Sequence, residues 1–190
     1  MISKRFKILI ITNLFLFNLF GQHYDFVKIL SGEGIVYNND TIFLNKTTVQ
    51  ELHQKLGIKD TLPPGTYRGI HWSGIDPETG MLTGGHEYIR EVEFKSITFY
   101  FADENDKDNL KLRSITICED ETIKTYTDNG LMIGMINPDL KEIFPDLGDY
   151  FSNDRLTYFL YSYGISFELK KMENGDLRVI EIVVAYQKRE

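Results

Sequence analysis

Apolar and polar residues alternate with a period of two in four stretches of the chain. In Ser96-Ile97-Thr98-Phe99-Tyr100-Phe101 the apolar set is Ile97, Phe99 and Phe101; in Gly164-Ile165-Ser166-Phe167-Glu168-Leu169 it is Ile165, Phe167 and Leu169. Leu112 to Ile117 and Leu177 to Ile182 continue the pattern beyond charged turns at 103–109 and 170–176. Successive side chains of a strand point to opposite faces, so this alternation predicts half-buried antiparallel strands. Aligned as pairs, the first strands lie 68 residues apart and the second strands 65, which makes the second turn three residues shorter. That turn holds Asn174-Gly175, a dipeptide that tolerates positive φ and favours a hairpin.

The correspondence extends upstream. Ile35-Val36-Tyr37 and Ile42-Phe43-Leu44 flank Asn38-Asn39-Asp40-Thr41; Ile123 to Tyr126 and Leu131-Met132-Ile133 flank Thr127-Asp128-Asn129-Gly130. Each reads as a short hairpin closed by Asn, Asp and Gly. A helix follows each. Thr48 with Glu51 three residues on forms a capping box; Val49, Leu52 and Leu56 mark the apolar stripe, and Gly57 stops it. In the second, Asn137 caps, Pro138 takes the first helical position, Leu140, Ile143 and Phe144 form the stripe, and Pro145 ends it. Helices this short are marginal alone and must dock on sheet. The expected class is α+β: two tandem hairpin–helix–hairpin repeats, about 33–118 and 121–186, building an antiparallel sheet with the short helices on one face. Glu119-Asp120 is nearly the whole junction, so residues 22–190 are expected to form one compact domain.

The N-terminus interrupts this picture. Lys4, Arg5 and Lys7 precede an apolar run from Ile8 to Phe20, and Gly21 is a small residue before Gln22. The run suits a signal peptide over 1–21 and is short for a membrane span. Export to the periplasm or beyond the cell is therefore expected, with no membrane contact once the signal is removed. The full chain carries 21 basic and 28 acidic residues, a net charge of −7; losing the three basic residues of 1–21 takes it to −10. An acidic surface repels phosphate backbones and anionic lipid, so no nucleic-acid partner is expected; the charge serves solubility first, and a protein partner with a basic surface is the other reading.

The remaining chemistry is sparse. The single cysteine, Cys118, excludes an internal disulfide, and the acids beside it oppose thiolate formation. The insert from Ile58 to Glu93 is long for a loop and holds six glycines, three prolines and the only tryptophan. His71, Trp72, Asp76, His86 and Glu87 in it are the candidate binding residues. Their types suit a divalent metal, but their spacing matches no ligand motif. The milder reading is a hairpin excursion with turns at Thr79-Gly80 and Gly84-Gly85. Aromatic residues crowd 150–167, where the alternation of Tyr161, Tyr163, Ile165 and Phe167 reads as core or sheet cover.

Two segments carry a resemblance. Leu44-Asn45-Lys46-Thr47-Thr48 with Leu52 and Leu56-Gly57, and Tyr163 to Leu169 followed by Asn174 to Ile182, are similar to uncharacterised exported proteins of Bacteroidota that share a domain of unknown function. Gln22 after the presumed cut resembles export signals common in that group. The looser pattern resembles the tandem α+β repeats of the β-lactamase-inhibitor-like superfamily. Neither resemblance supplies a catalytic residue or a cofactor. The expected function is a non-enzymatic macromolecule-binding or inhibitor/immunity-type module, acting through its sheet face or the 58–93 loop. The alternative is a metal-dependent hydrolase with its site in that loop.

Overall fold

A computed structural model describes residues 24–58, 67–75, 82–145, 156–160 and 164–185. The presumed signal segment, 1–21, lies outside the described residues. The strands are β1 (Asp25–Leu30), β2 (Gly34–Tyr37), β3 (Asp40–Phe43), β4 (Tyr67–Ile75), β5 (Leu82–Phe94), β6 (Ile97–Asp103), β7 (Lys111–Cys118), β8 (Ile123–Thr127), β9 (Leu156–Leu160), β10 (Ile165–Lys171) and β11 (Leu177–Ala185). The helices are α1 (Val49–Leu56) and α2 (Leu140–Ile143). One sheet has four strands in the order β3-β2-β1-β8; the other has seven, β4-β5-β6-β7-β11-β10-β9. No helix among the described residues is long and apolar enough to cross a membrane.

This is a mostly β, two-sheet structure, which corrects the α+β expectation of hairpin–helix–hairpin repeats with helices on one sheet face. Two local causes account for the difference. First, the segment 131–133 makes no strand. Leu131 N–H donates to Thr127 Oγ1 and Ile133 N–H to Thr125 Oγ1, so threonine hydroxyls take the donors a ladder would need. β8 joins β1 instead, in parallel, with Phe26 beside Lys124 and Lys28 beside Tyr126. Second, α2 is a single turn. Asp139, not Asn137, caps it by accepting from Glu142 N–H. Asn137 has φ 46° and its side chain closes onto β11 through Leu177 N–H.

Elsewhere local chemistry and structure coincide. Thr48 and Glu51 form the reciprocal capping box, and Gly57 ends α1 in the left-handed conformation at φ 63°. Asn38 and Asn39, at φ 44° and 80°, make a two-residue turn that closes on the Tyr37–Asp40 pair. β1, which no repeat included, adds Val27 and Ile29 to the core.

The buried faces of both sheets share one core. In the larger sheet, Phe94, Ile97, Ile117, Ile182, Phe167 and Tyr158 form one cross-strand row. Val92, Phe99, Ile115, Val184, Ile165 and Leu160 form the next. Phe167 stacks between Tyr158, at 5.0 Å, and Phe144, at 5.9 Å. The sheets are tied together at one end by Asp25, whose carboxylate accepts from Tyr37 Oη at 2.7 Å, Asn38 Nδ2 at 2.8 Å and the Lys95 ammonium of the β5–β6 turn.

The hairpins β6–β7 and β10–β11 lie side by side and carry a bulge at the same place. Arg113 is left out of the pairing between Tyr100 and Phe101, and Ile180 between Glu168 and Leu169. Their buried sets, Leu112, Ile115 and Ile117 against Val179, Ile182 and Val184, correspond at an offset of 67. The offset of 65 read from Leu-Arg at 112 and 177 matched letters rather than faces, and the second turn is shorter by one residue.

Candidate functional site

Within the insert, β4 and β5 pair as a hairpin, the excursion that is the milder of the two readings. Its register places His71 opposite Gly85, Trp72 opposite Gly84 and Ile70 opposite His86. Gly84-Gly85 therefore lies inside β5, not at a turn. Asp76 and Thr79-Gly80 lie outside the described residues. His86 is exposed, whereas its neighbour Glu87 is buried and accepts from Tyr100 Oη at 2.7 Å. Adjacent strand residues face opposite ways, so His86 and Glu87 do not converge, and the two histidines are not cross-strand partners. Among the described residues, no group of three or more His, Cys, Asp or Glu is placed to hold a metal ion. Cys118 is exposed at the end of a central strand; partial desolvation, then the Glu181 carboxylate 3.6 Å away, pushes its thiol pKa up and keeps it protonated.

A different feature concentrates exposed apolar surface. On β1 and β8 the inward residues Val27, Ile29, Ile123, Thr125 and Thr127 are buried, which turns Phe26, Lys28, Lys124 and Tyr126 outward. Beside this face the chain bends from 131 to 137. Gly134 N–H donates to Val179 C=O, Val179 N–H to Met135 C=O, and Asn137 N–H to Leu177 C=O. That pairing holds the 132–135 turn against β11, and a cleft of about 1030 Å³ lies between the turn and the β1–β8 strands. Its apolar lining includes Phe26, Tyr126, Met132 and Met135, with Glu119, Asp120, Glu121, Lys124 and Arg178 as its charged groups.

Exposure makes the cleft unusual. Of the five exposed large hydrophobics among the described residues, Phe26 (57%), Tyr126 (40%) and Met132 (44%) line it, and Ile136 (46%) adjoins it in sequence. Contiguous exposed apolar surface on a soluble fold marks an interaction site more often than a scatter of single residues does. The sequence pattern carried half of this signal: Lys124 and Tyr126 alternate with buried partners. The rest comes from four separate segments that only the parallel β1–β8 pairing and the 134–137 bridge bring together. Compared with protein-family models, curated proteins and solved structures, the chain finds no match.

Proposed function

We propose that the protein is an exported, non-enzymatic binding module of the inhibitor or immunity type, and that it engages a protein partner with a basic surface through the cleft beside β8. The observation that carries this reading is the gathering of the exposed Phe26, Tyr126 and Met132 around one cleft. Aromatic and methionine side chains supply large, adaptable contact area at interfaces. The acidic balance of the chain suits a basic partner.

The test is capture of interacting proteins from the envelope of the exporting cell, with wild type beside Phe26→Ser and Met132→Lys. Both positions are exposed, so folding should be retained, as circular dichroism would check. Wild type is expected to recover a basic protein in stoichiometric amount, and each variant about tenfold less or lower, the scale of losing one interface anchor. Equal recovery by all three proteins would remove the cleft from the interaction.

A further inference from the structure

Asn-Gly occurs twice in the chain, at 129–130 and 174–175, and both copies sit in the same backbone turn. Thr127 N–H donates to Leu131 C=O at 2.8 Å and Gly130 N–H to Thr127 C=O at 3.0 Å. Likewise Met172 N–H donates to Asp176 C=O at 2.7 Å and Gly175 N–H to Met172 C=O at 2.9 Å. The two glycines have nearly equal φ, 89° and 91°. The asparagine side chains differ. Asn174 Nδ2 donates to Asp176 Oδ2 at 2.7 Å, and its Oδ1 accepts from Asp176 N–H at 3.1 Å. Asp176 is itself held by Asn137 Nδ2 at 2.8 Å. Asn129 is exposed and has no hydrogen bond among the described residues, because the neighbouring Asp128 carboxylate is turned to the Lys28 ammonium at 3.0 Å.

We propose that Asn129 is a site of spontaneous deamidation and that Asn174 is protected from it. The Gly130 nitrogen gives its proton to solvent and attacks Asn129 Cγ. The new N–Cγ bond forms, the Cγ–Nδ2 bond breaks, and ammonia leaves with a solvent proton. Glycine permits this approach because no Cβ crowds the attacking nitrogen. Water then opens the cyclic imide at Cγ to give aspartate, or at the main-chain carbonyl to give isoaspartate. Nothing is oxidised or reduced. At Asn174 the amide would first have to give up both bonds to residue 176, and that cost is absent at Asn129. The turn bond from the glycine N–H must open in both copies, so it does not separate them. Isoaspartate lengthens the main chain two residues before Leu131, which is fully buried and held by Thr127 Oγ1.

The test is ageing of the exported protein at mildly alkaline pH, followed by digestion and mass spectrometry that resolves asparagine, aspartate and isoaspartate at each site. Conversion at 129 should run about tenfold faster than at 174, or more, the scale of two exposed hydrogen bonds. In concentrated urea the two rates should converge. Asp176→Ala should speed conversion at 174 several-fold and leave 129 unchanged. Equal rates in the folded protein, or a faster 174, overturn the proposal. A gap that persists in urea also overturns it, because flanking sequence and not the fold would then set the rates. So does a rate at 174 that Asp176→Ala leaves unmoved.

Discussion

At Gly34 the backbone has φ +145°, and a Cβ there would lie 2.0 Å from the carbonyl oxygen of Ile42 on the neighbouring strand. Gly175 also has a positive φ, +91°, but nothing lies within 4 Å of its Cβ position. The two glycines therefore separate close approach from backbone strain. Gly34→Ala should destabilise by about 3 kcal/mol or more, because the β2–β3 pair must move apart. Gly175→Ala should cost about 1 kcal/mol from the strained φ alone. Denaturant midpoints of the two variants decide it, and similar losses would refute the steric account of Gly34. Asn174-Gly175 marks a hairpin turn in the sequence, whereas nothing local marks Gly34. Turn chemistry is local and legible, as it was for Thr48, Glu51 and Gly57. The contact that constrains Gly34 comes from a partner strand and has no local signature.

Strands and their neighbours follow a similar division. The faces of β6 and β10 are readable because alternation reports burial directly; the bulges at Arg113 and Ile180 leave no such signature, and matching Leu-Arg at 112 and 177 sets β11 two residues off. Alternation also could not distinguish a ladder at 131–133 from threonine hydroxyls that take the same N–H groups. β1 carried the pattern weakly, yet it organises the smaller sheet and, through Asp25, fastens it to the larger one. The Lys95 ammonium, then Asn38 and Tyr37, outweigh burial and lower the Asp25 pKa from 3.8 to about 2. A carboxyl depressed on folding adds stability above its unfolded pKa and loses it as pH falls through the folded one. The contribution should be complete above about pH 5 and fade toward pH 2. Its size is on the order of 1–2 kcal/mol once solvent screening at Lys95 is allowed for. Thermal unfolding of wild type and Asp25→Asn across this range should show a gap at pH 6 that closes near pH 2. A gap that persists at pH 2 means the clamp acts through packing instead of charge.

Across the whole molecule, stability should be unevenly spread. The rows through β6, β7, β11 and β10 are buried on their inner face and paired on both edges, so their amides can exchange only when the common core opens. The outer part of the β4–β5 hairpin is different. β6 pairs with β5 only from Tyr88 onward, so residues 82–87 have β4 as their one strand neighbour among the described residues, and β4 has β5. A two-stranded ribbon is marginal in water unless something else covers it. The hairpin excursion is legible from the insert's turn residues; its strand bounds are not, because the glycines within β4 and β5 interrupt the alternation. Native-state hydrogen exchange should therefore place amides of 69–75 and 82–86 at opening free energies several kcal/mol below those of Phe99, Ile115, Phe167 and Ile182, roughly the span between local and global opening. If ribbon amides exchange as slowly as these core positions, the hairpin belongs to the cooperative unit, and the division between a rigid double-sheet body and an outlying ribbon is wrong. Should the ribbon alone gain protection when a partner binds, it would join the β8 cleft in the interface, whereas protection confined to 24–28, 119–126 and 132–136 would leave recognition to the cleft.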